Sequence, residues 1–502
     1  MGKKKKKLML IGSVGIMILI MCLLVRRELQ SCMKVPIISE EKLNTLTEVK
    51  TIDISQLSFN GADVSIDLPN NSIYISQNYN NLEKAYRMQG KLETKNPEYS
   101  LFFLGTSAMD NISLAVQEGT PFTLIIKCGE TYQKVNLIIT TLPILYLDLE
   151  ATGKMEDGSD LMSGKLTLWD NYDSDLKKYK VTTSPVEWHV RGNSSKIYDK
   201  LSWKVNLKKE SGENKNLELL GLGSDDDWIL NGMSMDDTNV KEKFTQELWN
   251  ELVNNTNYNY KMTSSEYVEL FINGAYQGLY IIQRRIDAKY LEMDKESDLL
   301  FKGINTWEAE HIYDAYEIIS SLLSNEVSYD ELKEALSFKN GNKMNIENFI
   351  DVSLLLQLIS GYDNSGYKNM FYLLKKGNDD YELSFIPWDT DLSLGVTWGY
   401  DYEDSISSII ERYELETVKE EYPNIDVQFA KRWNNLRMGI FSEEKIFSIL
   451  NPVIQELESS GVIQRDEKRW GLLHEGEDNI DNLRLYIRER LIFLDEYYAQ
   501  FL

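Results

Sequence analysis

The spacing of apolar residues changes along this chain, and that change limits the folds open to it. From Val49 to about Thr141 short apolar or alternating runs recur: Ile52-Asp53-Ile54, Val64-Ser65-Ile66-Asp67-Leu68, Ser72-Ile73-Tyr74-Ile75 and Phe122-Thr123-Leu124-Ile125-Ile126. Turn sequences such as Asn60-Gly61 and Pro69-Asn70-Asn71 separate them. Side chains alternate between faces along a strand, so the pattern predicts short β-strands in a small β-sandwich. Leu142-Pro143-Ile144 to Leu149 opens a second β-rich stretch that runs to about residue 290. Beyond Asn345 the step lengthens. Ile480, Leu483, Ile487, Leu491, Leu494, Tyr498 and Phe501 recur at three and four, which predicts a long amphipathic terminal helix. A β-rich half followed by an α-rich half is the order of an α+β fold, with two lobes and a cleft between them expected.

The first residues carry a different signal. Lys3 to Lys7 precede an uncharged run of 18 residues, Leu8 to Val25. A membrane helix needs roughly 20 apolar residues, and lysines on its amino side hold that end in the cytoplasm. Arg26 and Arg27 close the run without a small-residue cleavage site, so the expectation is a retained single-pass anchor with the body outside the cytoplasm. Leu29-Gln30-Ser31-Cys32 offers a lipoprotein box as the alternative. The expected organisation is an anchor over residues 1–34, a polar linker over 35–47, a β spacer module over 48–141 and the main domain over 142–502.

Charge narrows the choice of partners. The chain carries −25 overall. Residues 1–34 contribute +7 of that balance, so the remainder stands at about −32. Such a body repels phosphate backbones, which argues against nucleic acid as a partner. The three cysteines form no Cys-x-x-Cys pair, and the three histidines are scattered, so no zinc site or disulfide framework can be drawn. Neither Gly-x-Ser-x-Gly nor His-Glu-x-x-His occurs.

Four clusters carry candidate chemistry. In Val186 to Ser195 a strand reaches Arg191-Gly192-Asn193-Ser194, and Leu201 to Leu207 returns as a second strand. Lys200, Ser202, Lys204 and Asn206 share one face of it. A turn of small residues with a lysine on the next strand can hold phosphate oxygens; an ordinary hairpin with solvent-facing lysines has the same spacing. The second cluster, Leu219 to Leu230 followed by Asp236-Asp237-Thr238, lacks the alternate-ligand spacing of a calcium loop. It reads better as structure, with Asp237 or Thr238 capping a helix through Phe244, Leu248 and Leu252. In the third, Asn273-Gly274 between alternating runs predicts a hairpin.

The fourth cluster is the most informative. A helix from about Asn345 ends at Gly361, and Tyr362-Asp363-Asn364-Ser365-Gly366-Tyr367-Lys368-Asn369 follows. Two strands then lead into Pro387-Trp388-Asp389-Thr390-Asp391. Phosphoryl transfer needs one Asp to accept a hydroxyl proton, an Asn to hold a metal and another Asp to bridge metal and phosphates. A pair of capping aspartates would have the same spacing.

Taken together and in order, these clusters resemble the CotH family of spore-coat-type protein kinases over roughly residues 143–502. The resemblance implies an atypical protein-kinase-like fold. It also implies ATP and Mg²⁺ or Mn²⁺ as cofactors, and Ser/Thr of surface or spore coat proteins as phosphoacceptors. By position Asp363 would be the catalytic aspartate, and Asn369, Asp389 and Asp391 the metal ligands. Lys200 or Lys204 would pair with the ATP phosphates, Asn193 and Ser194 would lie in the phosphate-binding turn, and Arg191 would either contact phosphate or be structural. The chain departs from the family pattern at Arg284, where the family often has Glu. It also departs at Asp199-Lys200-Leu201, where Pro-Lys-Lys is usual, and at Lys241, where Arg is usual. The departures leave a second reading, an inactive surface or coat scaffold that binds protein or glycan.

Overall fold

The computed structural model describes residues 35–77, 90–105, 112–154, 160–170, 180–192, 194–294, 297–303, 316–318, 343–366, 368–377, 381–396, 402–412, 414–473 and 478–502. The chain divides into two compact units. One takes in Met1–Asp226, Tyr267–Tyr280 and Gln455–Gly471, and the other Asp227–Glu266, Ile281–Ile454 and Leu472–Leu502.

The first unit begins with β1 (Ile37–Ile38), β2 (Thr47–Glu48), β3 (Leu57–Phe59), β4 (Ala62–Asp63), β5 (Ser65–Asp67), β6 (Ser72–Ser76), β7 (Leu92–Thr94), β8 (Tyr99–Leu104), β9 (Phe122–Cys128) and β10 (Thr131–Thr140). Seven of these strands form one sheet in the order β1-β8-β9-β10-β6-β5, with β2 also on β10. The remaining three form the sheet β4-β3-β7. The two sheets share an apolar core that includes Leu57, Phe59, Ile73, Leu92, Leu124 and Leu137. The larger sheet is mixed rather than purely antiparallel. Val135 faces Leu124 across an antiparallel pair, but Ile138 faces Tyr74 across a parallel one. Parallel neighbours need a long connection, and β6 and β10 are separated by three other strands in the chain.

The next strands are β11 (Ile144–Lys154), β12 (Asp160–Asp170), β13 (Lys180–Arg191) and β14 (Ser202–Leu207). A small ribbon of β15 (Leu217–Glu218) and β16 (Ser224–Asp225) follows, then β17 (Asp227–Asn231), β18 (Ser265–Ile272) and β19 (Ala275–Arg284). The order β11-β12-β13-β14-β17-β19-β18 closes into a barrel. Asn273 and Gly274, both at positive φ (48° and 77°), make the tight turn between β18 and β19 that the sequence predicts.

In the second unit β20 (Leu299–Gly303), β21 (Tyr316–Ile318), β22 (Lys343–Met344), β23 (Met370–Lys376) and β24 (Tyr381–Pro387) form a sheet in the order β21-β20-β23-β24-β22. Helices α1 (Lys241–Val253), α2 (Ile346–Ile359) and α3 (Ile425–Arg437) belong to this unit, α4 (Val462–Trp470) to the first, and α5 (Ile480–Ala499) again to the second. Helix α2 lies on β24. The Phe349 and Phe385 rings sit 5.6 Å apart, and the Asn348 amide bonds both the N–H and the C=O of Phe385.

The α+β class is therefore as expected, but its β-rich part is a closed barrel preceded by a separate sheet. The membrane location is corrected. The run Leu8 to Val25 lies outside the described residues, and among the described residues no helix is long and apolar enough to cross a membrane. Helix α5 has the length but carries Asp481, Arg484, Arg488, Glu489 and Arg490, too many charges for a hydrocarbon core. A single-pass anchor with an extracytoplasmic body is not retained.

Candidate functional site

Helix α2 delivers the chain to the site. Asn345 starts it by accepting a hydrogen bond from Asn348 N, and Phe349, Val352, Leu355, Leu356 and Ile359 are buried. Ser360 turns left-handed (φ 51°, ψ 47°) and stops it, and Tyr362–Asn364 forms a single 3₁₀ turn. β23 and β24 then pair antiparallel with Met370 opposite Pro387. A hairpin brings the residue before its first strand next to the residue after its second. Accordingly Trp388 N donates to Asn369 O at 3.0 Å. The Asn364 Nδ2 ties both segments down, donating to Asn369 O at 2.9 Å and Trp388 O at 2.8 Å.

Asp363, Asn369 and Asp389 meet at this end. Asp363 Oδ2 accepts from Lys368 Nζ at 2.9 Å and from Asn369 Nδ2 at 2.8 Å. The same Nδ2 lies 3.5 Å from Asp389 O. Asn369 and Asp389 both hold left-handed backbones (φ 55° and 58°), a conformation that costs non-glycine residues about 1 kcal/mol or more. The backbone therefore bends at Asp389 rather than running on extended. Asp389 and Asp391 are both half-buried. Asp391 Oδ1 accepts from Leu392 N at 2.9 Å, whereas the Asp389 carboxylate has no hydrogen-bond partner among the described residues.

A further carboxylate supports the loop. Glu242, fully buried on α1, accepts at Oε2 from Thr390 N (2.6 Å) and Thr390 Oγ1 (2.9 Å), and at Oε1 from Gln246 Nε2 (2.9 Å). Burial and the Asp389 charge push the Glu242 carboxyl up to about 7. Burial, then the charges of Asp389, Glu242 and Asp236, hold the Asp391 carboxyl well above the usual carboxylate range. Nearby lysines serve other groups. Lys368 pairs with Asp363, and the fully buried Lys241 pairs with Asp478 at 2.8 Å, with Asp236 3.7 Å away. Asp236 also caps the start of α1, accepting from Lys241 N, where the sequence pointed to Asp237 or Thr238.

Among the described residues no three His, Cys, Asp or Glu side chains are grouped to hold a metal ion. The hairpin end offers a different set: two carboxylates and the Asn369 amide, whose nitrogen is engaged with Asp363. These are hard oxygen donors of the kind Mg²⁺ or Mn²⁺ takes together with phosphate oxygens and water. The unpartnered Asp389 carboxylate and the like-charge crowding around it fit a divalent cation.

The expected phosphate-contacting residues lie in the first unit. Lys200 is buried, with Nζ 2.8 Å from Asp466 Oδ2 on α4 and over the Tyr280 ring at 5.5 Å. Asp466 Oδ1 accepts from Leu279 N. Arg191 ends β13 opposite Ser202, and Lys204 on β14 faces His189; both are half-buried. Ser194 opens the turn Ser194–Ile197, and Asn193 lies outside the described residues. Of the departures, Arg284 lies over the Tyr290 ring at 5.1 Å, and Lys241 is the buried clamp already described. Sequence reasoning missed Asn364 and Glu242. Asn364 sits beside Asp363 in the same polar run and could have been weighed there. Glu242 is 148 residues from Thr390 and has no local signal.

The fold and this cluster define an α+β protein with an oxygen-donor loop at the end of a hairpin. Residues 188–494, more than half of the chain, match the family model described as CotH kinase protein, and the chain belongs to that family. No curated protein matches it.

Proposed function

We propose that this chain is a metal-dependent protein kinase of the CotH type, moving the γ-phosphate of ATP to Ser or Thr hydroxyls of surface or spore coat proteins. The observation that carries the reading is the convergence of Asp363, Asn369 and Asp389 where the hairpin flanks meet, through the Asn369 amide bonds to Asp363 Oδ2 and Asp389 O. Asp389, Asp391 and the Asn369 oxygen would hold Mg²⁺ or Mn²⁺, which when bound neutralises charge on the phosphate oxygens. Asp363 is the proton acceptor. As the hydroxyl oxygen bonds to the γ-phosphorus, the bond from that phosphorus to the β,γ-bridging oxygen breaks, ADP leaves, and the hydroxyl proton passes to an Asp363 carboxylate oxygen. Lys368 and Asn369 orient that carboxylate through their hydrogen bonds to Oδ2. Arg191, Asn193, Ser194, Lys200 and Lys204 are the candidates for phosphate contact. Asp466 already balances the charge of Lys200.

A second reading is a non-catalytic member that binds protein or glycan. It is favoured by the engagement of Lys200 with Asp466 and by Arg284 at a position where the resemblance leads one to expect Glu. Labelling with γ-³²P-ATP and Mn²⁺, using the chain itself and casein as acceptors, separates the two. The kinase reading expects transfer that falls roughly 100-fold or more in Asp389→Asn. Equal labelling in that variant, or none in the wild type, removes it.

A further inference from the structure

We infer that Glu242 is a positioning residue that shapes the metal-holding loop without touching the metal; the inference rests on the function proposed above. Thr390 stands between the two aspartates, and Glu242 takes both of its donors, backbone N–H and side-chain O–H, on one oxygen. Its other oxygen takes Gln246 Nε2. A carboxylate offers about four acceptor directions, and three of these are filled. Glu242 is therefore spent on the protein rather than held for a ligand.

The bonds bracket Asp389. On its amino side Trp388 is fixed through its N–H to Asn369 O and through its C=O from Asn364 Nδ2. On its carboxyl side Thr390 is fixed by Glu242. A left-handed aspartate relaxes toward commoner backbone angles unless both neighbours are held. Releasing Thr390 frees Asp389 to rotate its carboxylate away from Asn369 and Asp391. Glu242 lies on α1, outside the hairpin, so the bond also ties the loop to a separate rigid element.

The test uses the full chain and Mn²⁺ alone, with free ion counted by electron paramagnetic resonance. Glu242→Leu removes the acceptor; Glu242→Gln keeps one oxygen for Thr390, because Gln246 and Gln283, to whose Oε1 Gln246 Nε2 also donates, can turn their amides together. Thr390→Val removes only the hydroxyl bond. Loss of a group that orients a metal ligand weakens affinity about 10- to 100-fold. Glu242→Leu is expected to weaken Mn²⁺ binding at least ~10-fold, with Glu242→Gln within about threefold of wild type and Thr390→Val between them. Wild-type affinity in Glu242→Leu, or a loss in Glu242→Gln as deep as in Glu242→Leu, overturns the inference. Should Glu242→Leu fail to fold, Thr390→Val decides, and unchanged affinity there overturns it. A wild-type protein that binds no Mn²⁺ removes the proposed function and this inference together, whereas tight binding unaltered by the variants removes this inference alone.

Discussion

Buried charge is handled in two ways in this protein. In the first unit each buried carboxylate of the α4 region meets a cation. Asp466 pairs with Lys200 at 2.8 Å and Glu269 with Arg465 at 2.6 Å, all four residues less than a tenth exposed. The second unit does the same away from the hairpin end, where Asp351 pairs with Arg432 at 2.7 Å. At the hairpin end itself the Asp389 carboxylate has no basic partner among the described residues, and its charge acts on Asp391 and on the hydrogen-bonded Glu242. Desolvating a charge costs several kcal/mol unless it is matched, so the first arrangement is what folding alone selects. The second makes sense where a cation from solution completes it. The contrast teaches that the matched clusters are scaffold and the unmatched one is the place to look for chemistry.

Asp466→Leu leaves the Lys200 ammonium buried and unpaired and is expected to cost about 3–5 kcal/mol, read by urea unfolding. A cost under about 1 kcal/mol would show that the pair is not scaffold. The backbone N–H of Leu279 loses its acceptor in the same variant, which adds to the loss.

Asn364→Ala removes two buried hydrogen bonds and is expected to cost about 2 kcal/mol. It should also lower γ-phosphate transfer by more than the loss of folded protein explains, because Asn369 and Trp388 both lose an anchor. Transfer that tracks the folded fraction alone would make Asn364 purely structural.

The exposed pair Lys445–Glu251, at 2.7 Å, marks the low end. Water screens it, so Lys445→Met should change stability by less than about 0.5 kcal/mol. Its sign with pH is still defined. The hydrogen bond from Lys445 holds the Glu251 carboxyl below its ordinary value. The small contribution is therefore present at neutral pH, above the unfolded pKa. It is lost as pH falls through the carboxylate range, so wild type and variant should converge at low pH. A gap that widens in acid would contradict this.

Much of this architecture was legible in residue spacing. The Asn273-Gly274 turn, the helix from Asn345 and the long terminal helix all follow from local rules: turn chemistry, capping and period. The convergence of Asp363, Asn369 and Asp389 was legible too, because a hairpin between Asn369 and Trp388 brings its two flanks together whatever the rest of the chain does. Three features were not. The parallel pairing of β6 with β10 depends on a long connection rather than on alternation. The engagement of Lys200 with Asp466 spans 266 residues, and a lysine facing a phosphate reads the same in sequence as one facing a distant aspartate. Glu242 sits in an amphipathic helix, where a glutamate ordinarily marks a solvated face; only the fold shows that it is buried against Thr390.

On the proposed function, Asp389 and Asp391 at the hairpin end hold a divalent cation together with the Asn369 oxygen. Thermal unfolding of the full chain in EDTA and across a Mn²⁺ titration tests it most directly, because a ligand that binds only the folded state must stabilise it, by about 2.7 kcal/mol at a hundred times its Kd. The Tm should rise with Mn²⁺ in the wild type and stay flat in Asp389→Asn. A flat wild-type curve, or an equal rise in the variant, would contradict it.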